Sequence, residues 1–248
     1  MAVYAIADTH LSGAVAKSME KFGRRWTGYT DKIERRWRAL VTDADTVVIP
    51  GDVSWAMTLE EAEADFRFLA ALPGKKFIGK GNHDFWWTTV TKMRKFLDER
   101  GITGIEFLYN NACDVGPAIL CGTRGWFLEE TQQNTVTPVD YEKLVNREAI
   151  RLELCLQEAK KLQNNRLAAN ADADGTVPPI HVFLHFPPIY NAFRVQRFVD
   201  LFHIYGIENV WFGHIHGNYT MPAVWEEDSV RYHMIAADYL DFYPAKVE

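Results

Sequence analysis

Apolar residues in this chain gather in short unbroken runs. Those at 3–7, 46–49, 76–78, 180–184 and 209–212 barely alternate with polar positions. A strand with one wet face alternates, whereas a strand covered on both faces does not. Each run therefore predicts a strand buried between layers. Segments with apolar residues at helical spacing follow the first three runs. Ile33, Trp37, Leu40 and Val41 predict a helix over 31–41, with Thr30 or Asp31 as its cap. Phe66, Phe68 and Leu69 predict another that ends at Leu72. Thr58 caps it ahead of the acidic turn Glu60, Glu61, Glu63, and Pro73-Gly74 stops it. A third is expected over roughly 88–100, closed by Gly101.

The middle of the chain reads differently. Apolar residues at 107–109 and 118–121 flank Asn110-Asn111 and predict a hairpin or meander. Pro138 opens a long helix over 139–162, with Tyr141, Leu144, Val145, Leu152, Leu156 and Ala159 on one side. The stretch 163–176 is polar and alanine-rich and predicts a mobile surface loop, in which Asp172 and Asp174 carry no chemistry. A helix over 193–205 and a final antiparallel strand over 230–236 complete the pattern. Strands alternating with helices indicate the α/β class. With no linker and no internal repeat, a single domain spanning 1–248 is expected.

Composition narrows the function. Of 248 residues, 48% are apolar, enough for a substantial core, and the formal net charge is −6. The absence of a lysine-rich block argues against nucleic acid as a partner. No run approaches the ~20 apolar residues of a membrane span, so no membrane partner is expected. The apolar N-terminus is too short for a signal peptide. Cys113, Cys121 and Cys155 lack paired spacing and are read as reduced packing residues, which points to a cytoplasmic protein. The oligomeric state is not legible.

The chemistry lies where the runs end. The first strand leads into Asp8-Thr9-His10 and the second into Gly51-Asp52. The third leads into Gly79-Lys80-Gly81-Asn82-His83-Asp84, the fourth into His185, and the fifth into Gly213-His214-Ile215-His216. Five of the eight histidines stand at these strand ends. His181, His203 and His233 fall inside element patterns and read as structural. A single histidine after a strand is ordinarily a satisfied polar residue. A set of imidazoles and carboxylates converging on one sheet edge would be costly unless cations compensated it. Oxygen and nitrogen donors without thiolate suit Mn²⁺, Fe, Co²⁺, Ni²⁺ or Zn²⁺. Two such ions sharing a carboxylate can clamp a phosphoryl group and supply hydroxide to it.

Asp-x-His, Gly-Asp, Gly-Asn-His-Asp, a lone His after a strand and Gly-His-x-His, in that order, resemble the calcineurin-like metallophosphoesterase superfamily. The resemblance spans Asp8 to His216. It implies a four-layer α-β-β-α sandwich, in which two mixed β-sheets are flanked by helices. It also implies two divalent metal ions, with manganese the favoured identity. Asp8, His10 and His216 would hold one ion and Asn82, His185 and His214 the other, with Asp52 bridging them. His83 is similar to the family's protonating histidine, and Asp84 to the acid that orients it. The family's protein phosphatases carry an Asp-Arg-Gly stretch after Gly-Asp, and Val53-Ser54-Trp55 does not match it. The expected substrate is thus a phosphate mono- or diester of a small molecule or nucleotide. The alternatives are a nuclease and a non-catalytic scaffold on the same fold. Arg124 in a glycine turn, Lys80 and a stacking tryptophan such as Trp55 are candidate substrate contacts.

Overall fold

A computed structural model describes residues 1–126, 137–169 and 177–248. In chain order its strands are β1 (Val3–Ala5), β2 (Thr46–Ile49), β3 (Lys75–Ile78), β4 (Ile105–Phe107), β5 (Asn111–Asp114), β6 (Ile119–Thr123) and β7 (Ile180–Leu184). They continue with β8 (Ile189–Tyr190), β9 (Phe193–Arg194), β10 (Asn209–Phe212), β11 (Val224–Glu227), β12 (Val230–Met234) and β13 (Ala245–Val247). The helices are α1 (Tyr29–Leu40), α2 (Leu59–Ala70), α3 (Val90–Glu99), α4 (Pro138–Ala169) and α5 (Gln196–Ile204).

Two mixed sheets form. One has the order β13-β1-β2-β3-β4 and the other β11-β12-β10-β7-β6-β5, with β8 and β9 as a separate ribbon. Side-chain alternation in the strands explains the unbroken apolar runs. Val3, Ala5, Val48, Phe77, Leu120, Phe183 and Trp211 meet between the sheets. Val47, Ile49 and Ile78 pack outward with residues of α1, α2 and α3. Val182, Leu184, Val210 and Phe212 pack outward with α4 and α5. The layers are helix, sheet, sheet, helix, as the resemblance implied. The sheets join where Ala7 bridges Ala236, with the Ala7 N–H donating to the Ile235 carbonyl at 2.8 Å. Among the described residues, no helix is long and apolar enough to cross a membrane.

Several sequence expectations are corrected here. The predicted hairpin is split: β4 runs parallel to β3 in the first sheet, while β5 pairs antiparallel with β6 in the second. β12 is parallel to β10, not antiparallel, and its antiparallel partner is β11. α1 starts at Tyr29 behind Gly28, so Thr30 and Asp31 lie in its first turn rather than at its cap. The predicted loop 163–176 is helical in its first half, since α4 continues to Ala169. Gln163 donates to the Pro178 carbonyl at 2.9 Å and Arg166 pairs with Asp114 at 3.1 Å. Those anchors, with helix-favouring Leu and Ala, override the polar composition. Positions 170–176, including Asp172 and Asp174, lie outside the described residues.

His181 and His233 are structural, as their positions suggested. The Trp211 indole N–H donates to His181 Nδ1 at 3.2 Å and its ring stacks on His233 at 3.7 Å. Burial, and secondarily Arg231, pushes both imidazoles down to about 4. The unfolded chain protonates them near 6.5 and the folded protein only near 4. They therefore remove stability as pH falls through that window and leave it unchanged above. Thermal melts of His181→Gln, which keeps an acceptor for the indole, are expected to lose less Tm between pH 6.5 and 4 than the wild type. Equal slopes would remove His181 from the pH response.

Candidate metal centre

The candidate ligands follow the carboxyl ends of β1, β2, β3, β7 and β10, and the chain is bent unusually sharply to deliver them. Asp8 (φ 60°), His10 (φ 43°), Asp52 (φ 51°) and His214 (φ 71°) all adopt left-handed backbone conformations without being glycine. Such conformations cost energy and persist only where the surroundings enforce them. Two glycines do part of that work through close approach. A Cβ on Gly81 would fall 2.0 Å from Asp52 Oδ1, and one on Gly213 would fall 2.3 Å from Asp8 Oδ2.

The two carboxylates are held alike. Asp8 Oδ2 accepts the His214 backbone N–H at 2.8 Å, and Asp52 Oδ1 accepts the His83 backbone N–H at 2.7 Å. Each keeps its second oxygen turned toward imidazole nitrogens. Asp8 Oδ1 stands 3.6 Å from His216 Nε2 and 3.9 Å from His185 Nδ1. Asp52 Oδ2 stands 3.6 Å from His10 Nε2 and 3.7 Å from His185 Nε2. His10 Nε2 and His216 Nε2 are 3.1 Å apart. Asn82 Oδ1 lies 2.6 Å from His185 Nε2 and 3.1 Å from His214 Nδ1. All seven predicted ligands thus come together, and two of their donor groupings have the spacing to hold an ion: Asp8-His10-His216 and Asp8-Asp52-His185.

The donor chemistry fits cations. Asp8 Oδ1 is buried and has no hydrogen-bond partner. His216 gives its Nδ1 side to Asp238 at 2.9 Å, which leaves Nε2 as the lone pair facing His10. These nitrogens and oxygens converge from five turns, and with their ring protons turned outward their lone pairs would face a common point, as a cation requires. The electrostatics agree. Burial pushes the Asp8 carboxyl up to about 7 and raises Asp52 well above the carboxylate range, with Asp84 and Asp8 adding to the latter. Burial and the neighbouring His216 hold His10 well below the usual imidazole range, and burial and His214 do the same to His185. Burial would lower His216 too, but Asp8 and Asp238 outweigh it and raise it.

Asp84 does not hold the His83 ring. Its carboxylate accepts the backbone N–H groups of Gly81, Asp52, Val53 and Ser54, and the Trp86 indole at 3.1 Å. It ties the turn after β3 to the turn after β2, and so positions Asp52. His83 instead packs against Trp55, with ring centroids 4.5 Å apart. Burial first, then Lys17, His216 and Arg124, pushes His83 down to about 4.

Of the candidate substrate contacts, Arg124 is half-buried with an unpartnered Nε. Its guanidinium lies 5.1 Å from Phe186, whose ring packs on His185 and His214. Lys80 is half-buried, and burial and Arg124 lower its ammonium. Trp55 is not a free stacking platform, because it stacks on His10 at 4.6 Å and carries the Lys17 ammonium 3.4 Å above its ring. Trp86 and Trp87 are core.

Asp238 was missed. It is buried and accepts from His216, from the Gly217 N–H at 3.1 Å and from the Tyr219 hydroxyl at 2.7 Å. An Asp just past an apolar strand was the available signal, and it is the one that marked Asp8 and Asp52. Lys17 and Trp26 belong to the glycine-punctuated stretch 11–30, whose interleaved aromatic and basic residues read equally as a surface loop or as a substrate contact near the site. Tyr219 was unassigned.

The family model described as Calcineurin-like phosphoesterase matches residues 1–218. No curated protein matches the chain significantly. The crystal structure of a protein of unknown function from Aquifex aeolicus is similar, with a TM-score of 0.53 and 14% identity over 99% of this chain and 95% of that one. That likeness concerns the fold alone.

Asp84→Ala strands several buried amides and is expected to cost about 3 kcal/mol or more in urea denaturation. Were Asp84 only an orienter of His83, stability would be kept and turnover alone would fall. Metal affinity is expected to weaken steadily as pH falls, because cations must displace the protons that burial holds on Asp8 and Asp52. Calorimetric titration with Mn²⁺ at pH 6, 7 and 8 measures this, and a flat profile would contradict it.

Proposed function

The chain belongs to the calcineurin-like phosphoesterase family, and from that membership we propose that it hydrolyses small-molecule phosphate esters at a two-metal centre. One ion would be held by Asp8, His10 and His216, the other by Asn82, His185 and His214, with Asp52 shared. The observation that carries this reading is the place of Asp52 Oδ2, 3.6 Å from His10 Nε2 on one side and 3.7 Å from His185 Nε2 on the other. Divalent cations there would neutralise the phosphoryl oxygens and activate water.

The remaining roles belong to the chain. Arg124 brings a guanidinium beside the second group of ligands, suited to grip a phosphoryl oxygen. His83 is neutral at pH 7 and keeps one ring N–H. That N–H donates to a phosphoryl or leaving oxygen, and a dianionic ester beside the ring raises its affinity for a full proton. In the overall reaction water adds to phosphorus, the ester P–O bond breaks, and the alcohol leaves with a proton. The Lys17 ammonium adds positive charge on the side where an ester approaches.

His83→Ala is expected to lower kcat by about 100-fold or more while metal content, read by elemental analysis, stays near wild type. The reason is that the backbone N–H of residue 83, not its ring, holds Asp52. Loss of metal would reassign His83 as a ligand. Hydrolysis of p-nitrophenyl phosphate against its bis ester with Mn²⁺ separates monoesterase from diesterase. No turnover of either with metal bound would sink the enzymatic reading and favour a scaffold.

A further inference from the structure

A cavity of about 360 Å³ opens directly on His10, His83 and His216. It exceeds what a phosphoryl group needs and falls within the size range of small-molecule pockets, roughly 300–1,000 Å³. Its other walls are mostly rings: Phe22, Trp26, Trp55 and Tyr219, together with Met19. Resting on the phosphoesterase reading above, we propose that this cavity is the subsite for the organic part of the ester, and that it takes a flat aromatic ring.

The construction of the walls supports an aromatic occupant. Trp26 is 2% exposed and lies edge-on to His10 and His216 at 6.2 and 5.6 Å. Tyr219 is held in place, its hydroxyl donating to Asp238 and the Arg25 guanidinium lying over its ring at 4.1 Å. Phe22 is the exposed ring of the lining. It ends the 3₁₀ turn Met19–Phe22, in which residues three apart share a face. Met19 is buried and anchors that turn, while Phe22 remains 59% exposed. An exposed ring at the mouth of a cavity is apolar surface that a ligand can cover. Lys17 and Arg25 place two cations beside the rings, where a phosphate ester carrying an aromatic group meets both its charge and its ring. A plain alkyl ester would leave the ring walls unmatched.

Benzyl phosphate, adenosine 5′-monophosphate and n-butyl phosphate are all esters of primary alcohols, so their intrinsic reactivities are similar and differences report the cavity. For the Mn²⁺-loaded full chain, kcat/KM is expected to favour at least one ring-bearing ester over butyl phosphate by about tenfold or more, the order that one stacked ring carries. Which of the two is favoured distinguishes an aryl from a nucleoside substrate. Phe22→Ala should cut the ring-to-butyl ratio about tenfold, mainly through KM, and Phe22→Tyr should restore it. Calorimetric titration of the metal-free chain with benzylphosphonate and with adenosine gives a readout independent of turnover. Binding of one is expected in the wild type, weakened about tenfold in Phe22→Ala. Ring binding without hydrolysis of any ester would keep the cavity assignment and sink the phosphoesterase reading. Hydrolysis of butyl phosphate with no ring preference would do the reverse, and so would a Phe22→Ala variant that lowers all three esters alike.

Discussion

Carboxylates buried together with no lysine or arginine paired to them are the condition around which the site is arranged. Asp8, Asp52 and Asp84 lie at the inner ends of the strands, each 2% exposed or less. The ion-pair partners of Asp8 and Asp52 are imidazoles, and burial keeps His10 and His185 from protonating. Asp84 is satisfied by backbone amides, which stabilise a carboxylate without neutralising it. A fold that gathers such groups must either hold protons or gather cations. The first option is visible in the raised affinity of Asp8 for a proton, and the second gives those groups a purpose.

That condition accounts for features that would otherwise be liabilities. Left-handed backbone at four polar residues turns their side chains toward one point immediately after the strands end. Glycine at 81 and 213 lets neighbouring turns lie against the carboxylates. Asp84 and Asp238 use buried carboxylates to fix a turn and a histidine ring, respectively. Energy spent on this geometry must be recovered elsewhere, and three apolar layers do so: one between the sheets and one on the outer face of each.

The segment between β1 and α1 gives the site its second character. It is tied down at Gly13, whose N–H donates to Asp65 at 2.8 Å, and at Tyr29, whose hydroxyl donates to the His10 carbonyl at 2.7 Å. Between those anchors it sets Lys17, Met19, Phe22, Arg25 and Trp26 around the cavity. On the proposed reading the ligands would address the phosphoryl group alone, and this loop would be where one ester is distinguished from another.

Much of the fold was legible because burial on two faces leaves an unbroken apolar run, and such runs survive any packing detail. Asp8, His10, Asp52, Asn82, His185, His214 and His216 were legible for a related reason: each sits within a few residues of the end of such a run. Strand direction was not. The pairing of β12 with β10 and the separation of β4 from β5 depend on long-range partners that no local pattern encodes. Composition also misled at Gln163 to Ala169, where two surface contacts keep polar residues helical. Roles within the site were decided later still. Asp84 and Trp55 carry the residue types of an orienting acid and a stacking platform, yet the turn after β2 captures one, and His10 with Lys17 occupies the other. Hydrophobic patterning alone tells which groups arrive at the sheet edge, because strand length and burial are written in it. What each group faces there comes from the folded chain, because hydrogen bonds and ring contacts depend on distances between turns far apart in the sequence.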